Sequence, residues 1–182
     1  MNKQIKVNAT GETITFLKTS ADTKGEYVEM ICTLPAEGQG PPKHIHTLQT
    51  EFFEAIEGKL GIFIGDDKKV LESGQTYKLP ANTKHGFYTA DNTDIKFKVI
   101  YKPALDIEWF LTEIFASMNR ANSTTPSIFE ASYILSQMNG QYYLADIPMF
   151  VQKNFLPILA AIGKTLGLVK KVNALLPWSV SY

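Results

Sequence analysis

The most informative segment of the chain is Pro41-Pro42-Lys43-His44-Ile45-His46-Thr47-Leu48-Gln49-Thr50-Glu51. His44 and His46 stand two residues apart, and side chains two apart on a β-strand point to the same face of the sheet. Both imidazoles are therefore expected to enter the interior of a β-structure, while Ile45 points away. Glu51 opens a further strand-like run on a face from which its carboxylate can join the imidazoles.

The third histidine of the chain, His85, follows a unit in which Gly74 and Pro80 favour turns on either side of a short strand. Three neutral imidazoles and one carboxylate form a mixed N/O donor set that suits one divalent transition metal ion: Fe, Mn, Ni, Co, Cu or Zn. Such a set leaves coordination positions for water or substrate. The sequence thus predicts a metal site at His44, His46, Glu51 and His85, with a vestigial, empty site as the alternative.

Short β-rich runs separated by turn residues fill the chain before Pro103. They are residues 13–17, 27–34, 51–57, 60–64, 75–79 and 95–101. This spacing is typical of an all-β barrel or sandwich. With 182 residues the chain suits one domain with a modest appendage, and two full domains are not expected.

After Pro103 the apolar period becomes helical. A first helix behind a cap at Asp106 would bury Ile107, Phe110, Leu111, Ile114, Phe115 and Met118. A second helix is expected to start with Thr125 as cap and Pro126 at its first position and to stop before Gly140. A third pattern, begun or bent near Pro157, has the apolar stripe Phe155, Leu159, Ile162, Leu166 and Val169.

These patterns divide the chain into a β-barrel domain, residues 1–103, and a C-terminal helical extension, residues 104–182. The extension is expected to pack on the barrel or on a partner in a homodimer. Its apolar run is too short, and too interrupted by Pro157 and Lys164, to span a membrane. Contact of this tail with a membrane surface is the less favoured alternative.

Composition narrows the function classes. Apolar residues make up 45% of the chain and charged residues 20%, as in ordinary soluble proteins. The 18 basic and 18 acidic residues balance, so no nucleic-acid partner is expected. Cys32 is the single cysteine and is interpreted as a buried, inert thiol. The N-terminus lacks the apolar run of a signal peptide, and a cytoplasmic location is expected by default.

The residues of the site resemble the two signature motifs of the cupin superfamily. Gly38, His44, His46, Glu51 and Gly58 satisfy every interval of G-x5-H-x-H-x4-E-x6-G. Gly74, Pro80 and His85 agree with G-x5-P-x-G-x2-H-x3-N, whereas Asn82 replaces its inner glycine and Thr89 its final asparagine. Asparagine also tolerates a left-handed turn. Over residues 26–103 the resemblance implies a mainly β fold, a double-stranded β-helix or jelly-roll cupin barrel, with one metal ion on the three histidines and Glu51.

The resemblance does not settle an activity, because dioxygenases, isomerases, epimerases, decarboxylases, storage proteins and sensors share it. The segment after Pro103 is loosely similar to that of single-barrel cupins resembling quercetin dioxygenase, in which helices follow the barrel. We therefore expect a dioxygenase or other oxidoreductase acting on a small molecule. Glu51 is the candidate catalytic residue, as a metal ligand that leaves the metal to act as a base.

Other features leave alternatives open. Phe53 and Phe87 each lie two residues from a ligand and either line a substrate pocket or belong to the barrel core. A non-catalytic, ligand-binding sensor cupin is the alternative to an enzyme. A sugar isomerase or epimerase is less favoured because Arg120 is the single arginine, and such enzymes often place arginine on phosphate groups.

Overall fold

The structure is a computed structural model that describes residues 3–36, 38, 40–169 and 171–174. The strands of this described part are β1 (Gln4–Lys6), β2 (Thr13–Lys18), β3 (Val28–Leu34), β4 (His44–His46), β5 (Thr50–Glu57), β6 (Leu60–Ile64), β7 (Asp67–Leu71), β8 (Thr76–Leu79), β9 (His85–Thr89), β10 (Ile95–Lys102) and β11 (Tyr142–Leu144). The helices are α1 (Ile107–Ala121), α2 (Ile128–Gln137) and α3 (Met149–Thr165). The six strand runs expected from the sequence are thus confirmed as β2, β3, β5, β6, β8 and β10.

The strands form two antiparallel sheets. The first has the order β1-β2-β3-β10-β5-β8, and the second has the order β11-β4-β9-β6-β7. In β3 and β10 every second side chain is buried, which is the alternation of a strand with one face on a core. Phe16, Phe53 and Phe97 from the first sheet meet Leu60 and Ile62 from the second in one hydrophobic core. The expected mainly β jelly-roll barrel followed by helices is confirmed.

Two turns of the cupin-like motifs contain a residue with a positive φ angle. Gly58 ends the first motif with φ +72°, and a Cβ there would collide with the backbone oxygen of Asp94. Asn82, which replaces a glycine of the second motif, adopts φ +63°. The expectation that asparagine would accept the left-handed turn is confirmed.

Helix α1 begins at Ile107, directly after Asp106, as expected. The Asp106 carboxylate, however, accepts a hydrogen bond from Gln141 Nε2 at 2.6 Å instead of capping the helix. α2 starts at Ile128, with Ser127 in the cap position, so the assignment to Thr125 and Pro126 was two residues early. The reason is that the Ser127 N–H donates to Ser117 Oγ of α1, which holds this segment extended.

α3 begins earlier than its apolar stripe indicated and continues through Pro157. Its small residues Ala160 and Gly163 are buried, and a Cβ on Gly163 would press on Phe129 of α2 at 2.8 Å. The stripe itself is mostly uncovered within this chain: Phe155, Ile162 and Leu166 are 53%, 42% and 64% exposed. Their predicted packing therefore depends on the homodimer, which stays a prediction.

No helix in the described ranges is both long enough and apolar enough to cross a membrane.

A strand from the C-terminal half completes the second sheet. β11 pairs with β4, so that Tyr142 lies opposite His46 and Leu144 opposite His44. Gln152 of α3 holds this strand, because its amide accepts from the Leu144 N–H at 2.9 Å and donates to the Leu144 carbonyl at 2.8 Å. The sequence did not predict β11. The helical extension is thus joined to the sheet that carries three of the predicted ligands, His44, His46 and His85.

Candidate metal centre

Three strands bring the four predicted ligands together. His44 and His46 are the ends of β4, and both are buried while Ile45 between them is half-buried. His44 pairs with His85 at the start of β9, and Glu51 enters from β5 of the other sheet. One donor atom from each of the four side chains lies within 4.8 Å of the other three. The convergence inferred from sequence spacing is present in the fold.

Hydrogen bonds fix the orientation of all three imidazole rings. Nδ1 of His44 lies 2.9 Å from the Pro42 carbonyl, and Nδ1 of His85 lies 3.0 Å from the Thr83 carbonyl. A carbonyl oxygen can only accept, so each Nδ1 carries the proton and each Nε2 keeps a free lone pair. This is the tautomer in which Nε2 can bind a metal ion.

Gln49 orients the third ring. Its amide nitrogen donates to the carbonyls of Pro103 and Ala104 at 3.0 and 2.8 Å, so its oxygen must face the other way. That oxygen lies 2.9 Å from Nδ1 of His46 and accepts its proton. Sequence reasoning missed this buried residue. The available signal was a polar side chain three residues after His46, inside the segment between two ligands.

The Nε2 atoms of His46 and His85 are buried and have no hydrogen-bond partner among the described residues. They lie 3.7 and 2.7 Å from Oε1 of Glu51. A buried polar atom without a partner is costly, and such atoms are rare in folded proteins. Two of them in one cluster, beside a carboxylate, fit the coordination of a cation. Donors on opposite sides of one transition metal ion stand about 4.2 Å apart, which is close to the spread of this cluster.

Burial and charge set the protonation of the cluster. Burial lowers the pKa of His44 well below its usual value, and the neighbouring histidines lower it further. Burial also lowers the pKa of His46, although Glu51 opposes it. At Glu51 burial acts to raise the pKa, but His46 and His85 outweigh it and bring the pKa to about 2. The pKa of His85 is raised, because the Glu51 carboxylate outweighs the opposing effect of burial. Glu51 is therefore ionised, as a metal ligand must be.

Two buried tyrosines flank the imidazoles. Tyr142 of β11 stacks on His44, with ring centroids 4.9 Å apart and planes 22° apart. Tyr101 of β10 lies against His46, with centroids 5.2 Å apart. Burial, followed by the charge of Glu51, raises the pKa of both hydroxyls, so both stay neutral. Neither was singled out from the sequence, although the alternation of β10 would place Tyr101 on the inner face.

A cavity of about 1110 Å³ lies beside the cluster, between the barrel and helices α1 and α2. His44, His46, Tyr101 and Tyr142 form part of its wall. Phe87 also lines it, as the pocket interpretation expected. Phe53 fits the alternative interpretation, a place in the barrel core. It is buried next to Phe97 and is not among the cavity-lining residues of the described part.

Cys32 is buried in the cavity wall. Burial raises the pKa of its thiol well above the usual value, and the charges of Glu12 and Glu51 raise it further. A thiol in this state is unreactive as a nucleophile. The interpretation of Cys32 as a buried, inert thiol agrees with this setting.

Comparison with known sequences identifies the β half. The family model of the cupin domain, Cupin_2, matches residues 30–101. The protein "Probable oxidoreductase virH" of Hypocrea virens is 36% identical over 67 residues, which are 35% of this chain and 31% of that protein. This chain thus spans about a third of the length of the relative that it matches.

Solved structures share the barrel. A predicted oxalate decarboxylase of Thermotoga maritima is 13% identical, with a TM-score of 0.50 over 57% of this chain and 92% of that one. The polyketide cyclase RemF of Streptomyces resistomycificus is 22% identical, with a TM-score of 0.48 over 56% of this chain and 73% of that one. At such identities the likeness concerns the fold. Together with the match of the family model, it identifies residues 30–101 as a cupin domain.

Proposed function

We propose that this protein is a metal-dependent oxidoreductase acting on a small molecule, and that His44, His46, Glu51 and His85 bind one divalent transition metal ion. The main observation behind this proposal is that the buried Nε2 atoms of His46 and His85 have no hydrogen-bond partner among the described residues. Both atoms lie next to the ionised carboxylate of Glu51. A pure packing role would leave the lone pair of His46 Nε2 unsatisfied inside the barrel, and it would require a proton on Nε2 of His85 to pair that atom with Glu51 at 2.7 Å. Cation binding satisfies both atoms.

The residues have distinct parts in this proposal. The three imidazoles, each protonated at Nδ1, bind through Nε2, and Gln49 keeps His46 in that tautomer. Glu51 supplies the negative charge, and its low pKa supports the role of ligand more than the role of base. A bound divalent ion supplies Lewis acidity and open coordination positions for a substrate oxygen. Side chains of helices α1 and α2 form part of the wall of the cavity in which a substrate would lie.

The name of the Hypocrea virens relative, a probable oxidoreductase, supports the assignment of this chain as an oxidoreductase. Dioxygenase activity is a more specific version of the same proposal. The competing function is ligand binding without turnover. The same cavity supports it, since a site that orients a ligand need not transform it. Turnover of a bound small molecule separates the two functions.

The metal is tested first with two variants of one strand. Glu51→Gln removes the charge of a proposed ligand, whereas Glu54→Gln changes the opposite face of β5, where Glu54 pairs with Lys98. We expect protein purified without chelator to contain about one equivalent of a transition metal in the wild type and in Glu54→Gln, and much less in Glu51→Gln. The double variant His44→Ala, His46→Ala should also lose it. Equal metal content in all four proteins would refute the site.

Activity is tested with the metal-loaded protein. Consumption of O2 with small phenols or diketones, absent in Glu51→Gln, would support the oxidoreductase. Binding of the same compounds without consumption of O2 or change of the compound would assign the protein to the ligand-binding class.

We also propose a homodimer, supported by the exposed apolar residues of α3, including Phe150 and Phe155. Light scattering on the purified protein tests it: the expected mass is twice that of the chain, and the mass of one chain would contradict the proposal. Phe150→Ser should shift the mass towards the monomer if this face is the interface.

A further inference from the structure

Apolar side chains form most of the cavity wall apart from the metal ligands. Phe87 of the barrel lines the cavity together with side chains from two helices, among them Phe110, Ile114 and Phe115 of α1 and Leu135 of α2. The volume, about 1110 Å³, is large enough for a molecule of several rings or an equivalent aliphatic chain. Burial of apolar ligand surface is therefore the main source of affinity that this wall offers.

Cationic side chains are missing from this wall. Among the described residues that line the cavity there is no lysine or arginine, and the charged side chains are those of Glu12 and Asp94. A phosphate or carboxylate group on a ligand would be desolvated here with no basic partner, at a cost of several kcal/mol. Away from the metal ligands, the lining therefore disfavours the charged groups of sugar phosphates, nucleotides and organic acids.

Glu12 is one of the two acidic side chains of this wall, and Asp94, the other, already accepts a hydrogen bond from the Ala36 N–H at 2.9 Å. It directly precedes β2, and the alternation of that strand places it in the same inward row as the buried Ile14 and Phe16. Its carboxyl group makes no hydrogen bond to the described residues, whereas its backbone N–H donates to Thr10 Oγ1 at 3.2 Å. A polar side chain held in an apolar wall, with free bonding capacity, is available to a ligand.

The protonation of Glu12 matches this role. Burial raises the pKa of its carboxyl group to about 7, so at neutral pH it is in large part a neutral O–H donor. Glu12, Cys32 and the metal ligands His44 and His46 line the same cavity. A ligand in this cavity is thus in the same space as both Glu12 and the metal ligands.

We infer that the cavity binds an uncharged, largely apolar molecule whose hydroxyl or carbonyl group forms a hydrogen bond with Glu12. This inference names the substrate class of the proposed oxidoreductase. It rests on the proposed function only in assuming that the bound molecule reacts, because the residues that line the cavity do so whether or not a metal ion is bound. The same lining would serve a ligand that is bound and not transformed.

A pair of fluorescent probes tests the charge preference. N-phenylnaphthylamine is uncharged, and anilinonaphthalene sulfonate has the same rings with one added sulfonate. We expect the uncharged probe to bind the metal-free full chain at least about tenfold more tightly, since the sulfonate would then be buried without a cationic partner. Equal affinities, or tighter binding of the sulfonate, would overturn the inference.

A matched pair of variants shows where the probe binds. Ala131→Trp fills the cavity from α2, whereas Ala161→Trp adds the same side chain on the exposed side of α3. Binding of the uncharged probe should weaken at least about tenfold in Ala131→Trp and stay within about twofold of the wild type in Ala161→Trp. The reverse pattern would place the probe on the apolar face of α3 and overturn the inference.

Glu12→Gln tests the polar contact and separates the two proposals. At a pH about one unit above the pKa of Glu12, this substitution removes a negative charge and keeps the shape, so it should strengthen binding of the sulfonated probe several-fold. Glu26→Gln, on an exposed side chain, is the control. An unchanged ratio of the two affinities in Glu12→Gln would overturn the role of Glu12. Metal content measured in parallel reports on the proposed function alone, because Glu12 is not a ligand.

Discussion

Gln49 allows a sharp test of the way in which the ligands are held. Gln49→Met keeps the length of the side chain and removes all three of its hydrogen bonds, to the Pro103 carbonyl, the Ala104 carbonyl and Nδ1 of His46. At about 1 kcal/mol net for each bond, the free energy of unfolding of the metal-free protein should fall by about 3 kcal/mol. Urea unfolding followed by circular dichroism measures this loss.

The same variant should weaken metal binding. Without Gln49, His46 no longer has the partner that keeps its proton on Nδ1, and loss of such a partner typically costs about 10- to 100-fold in metal affinity. Competition with a chromophoric chelator measures the affinity, and ¹⁵N NMR of the imidazoles reports the tautomer of His46 directly. Gln4→Met, at an exposed side chain whose amide bonds only to Thr15, is the control.

Two results would refute this reasoning. One is a Gln49→Met protein that is destabilised as expected yet binds metal with wild-type affinity, since the hydrogen bond would then have no effect on the donor atom. The other is a wild-type His46 found protonated at Nε2, because that atom would then be unavailable as a ligand.

Two further predictions concern the stability of the metal-free protein. Glu12 has a folded-state pKa of about 7 against an ordinary value of 4.5, so the folded state binds more protons than the unfolded state between these values. Stability should therefore fall by about 2 kcal/mol as the pH rises from about 5 to 8, and Glu12→Gln, which leaves Cys32, Glu51 and Asp94 in place, should remove this part of the slope; identical pH profiles in urea unfolding would contradict it. Arg120 of α1 donates to both carboxylate oxygens of the buried Glu130 of α2 at 2.9 to 3.2 Å. Arg120→Met leaves that charge without its partner and should cost about 3 kcal/mol in the same assay, with a smaller loss in Arg120→Lys, whereas equal stability of all three proteins would show that the pair does not contribute.

The sequence was sufficient for the parts of the site that depend on local spacing. The spacing of two positions from His44 to His46 fixes a shared face on any strand, and the interval to Glu51 allows the chain to cross to the other sheet. The turns at Gly58 and Asn82 follow from backbone sterics alone. These features need no knowledge of distant residues, which is why they could be predicted.

The missed features depend on contacts between distant residues. Tyr142–Leu144 is too short to show an alternation, and it becomes a strand only because the edge of β4 offers hydrogen bonds. The role of Gln49 follows from its orientation towards Pro103 and Ala104, which spacing does not reveal. The helical spacing of apolar residues predicted the stripe on α3 but not that the stripe is exposed. Such spacing shows which residues share one face of a helix, but not what packs against that face.

The pairing of β11 with β4 has a consequence for the newborn chain. His44, His46, Glu51 and His85 leave the ribosome well before Tyr142–Leu144, and until then β4 is an open edge of its sheet. Domains fold as they emerge from the ribosome, so the barrel can form first with its ligand-bearing edge still exposed to other chains. Translation through Leu144 then closes that edge and brings Tyr142 onto His44. A polypeptide terminated before β11 would retain all four donor residues but would present an unpaired strand suited to aggregation.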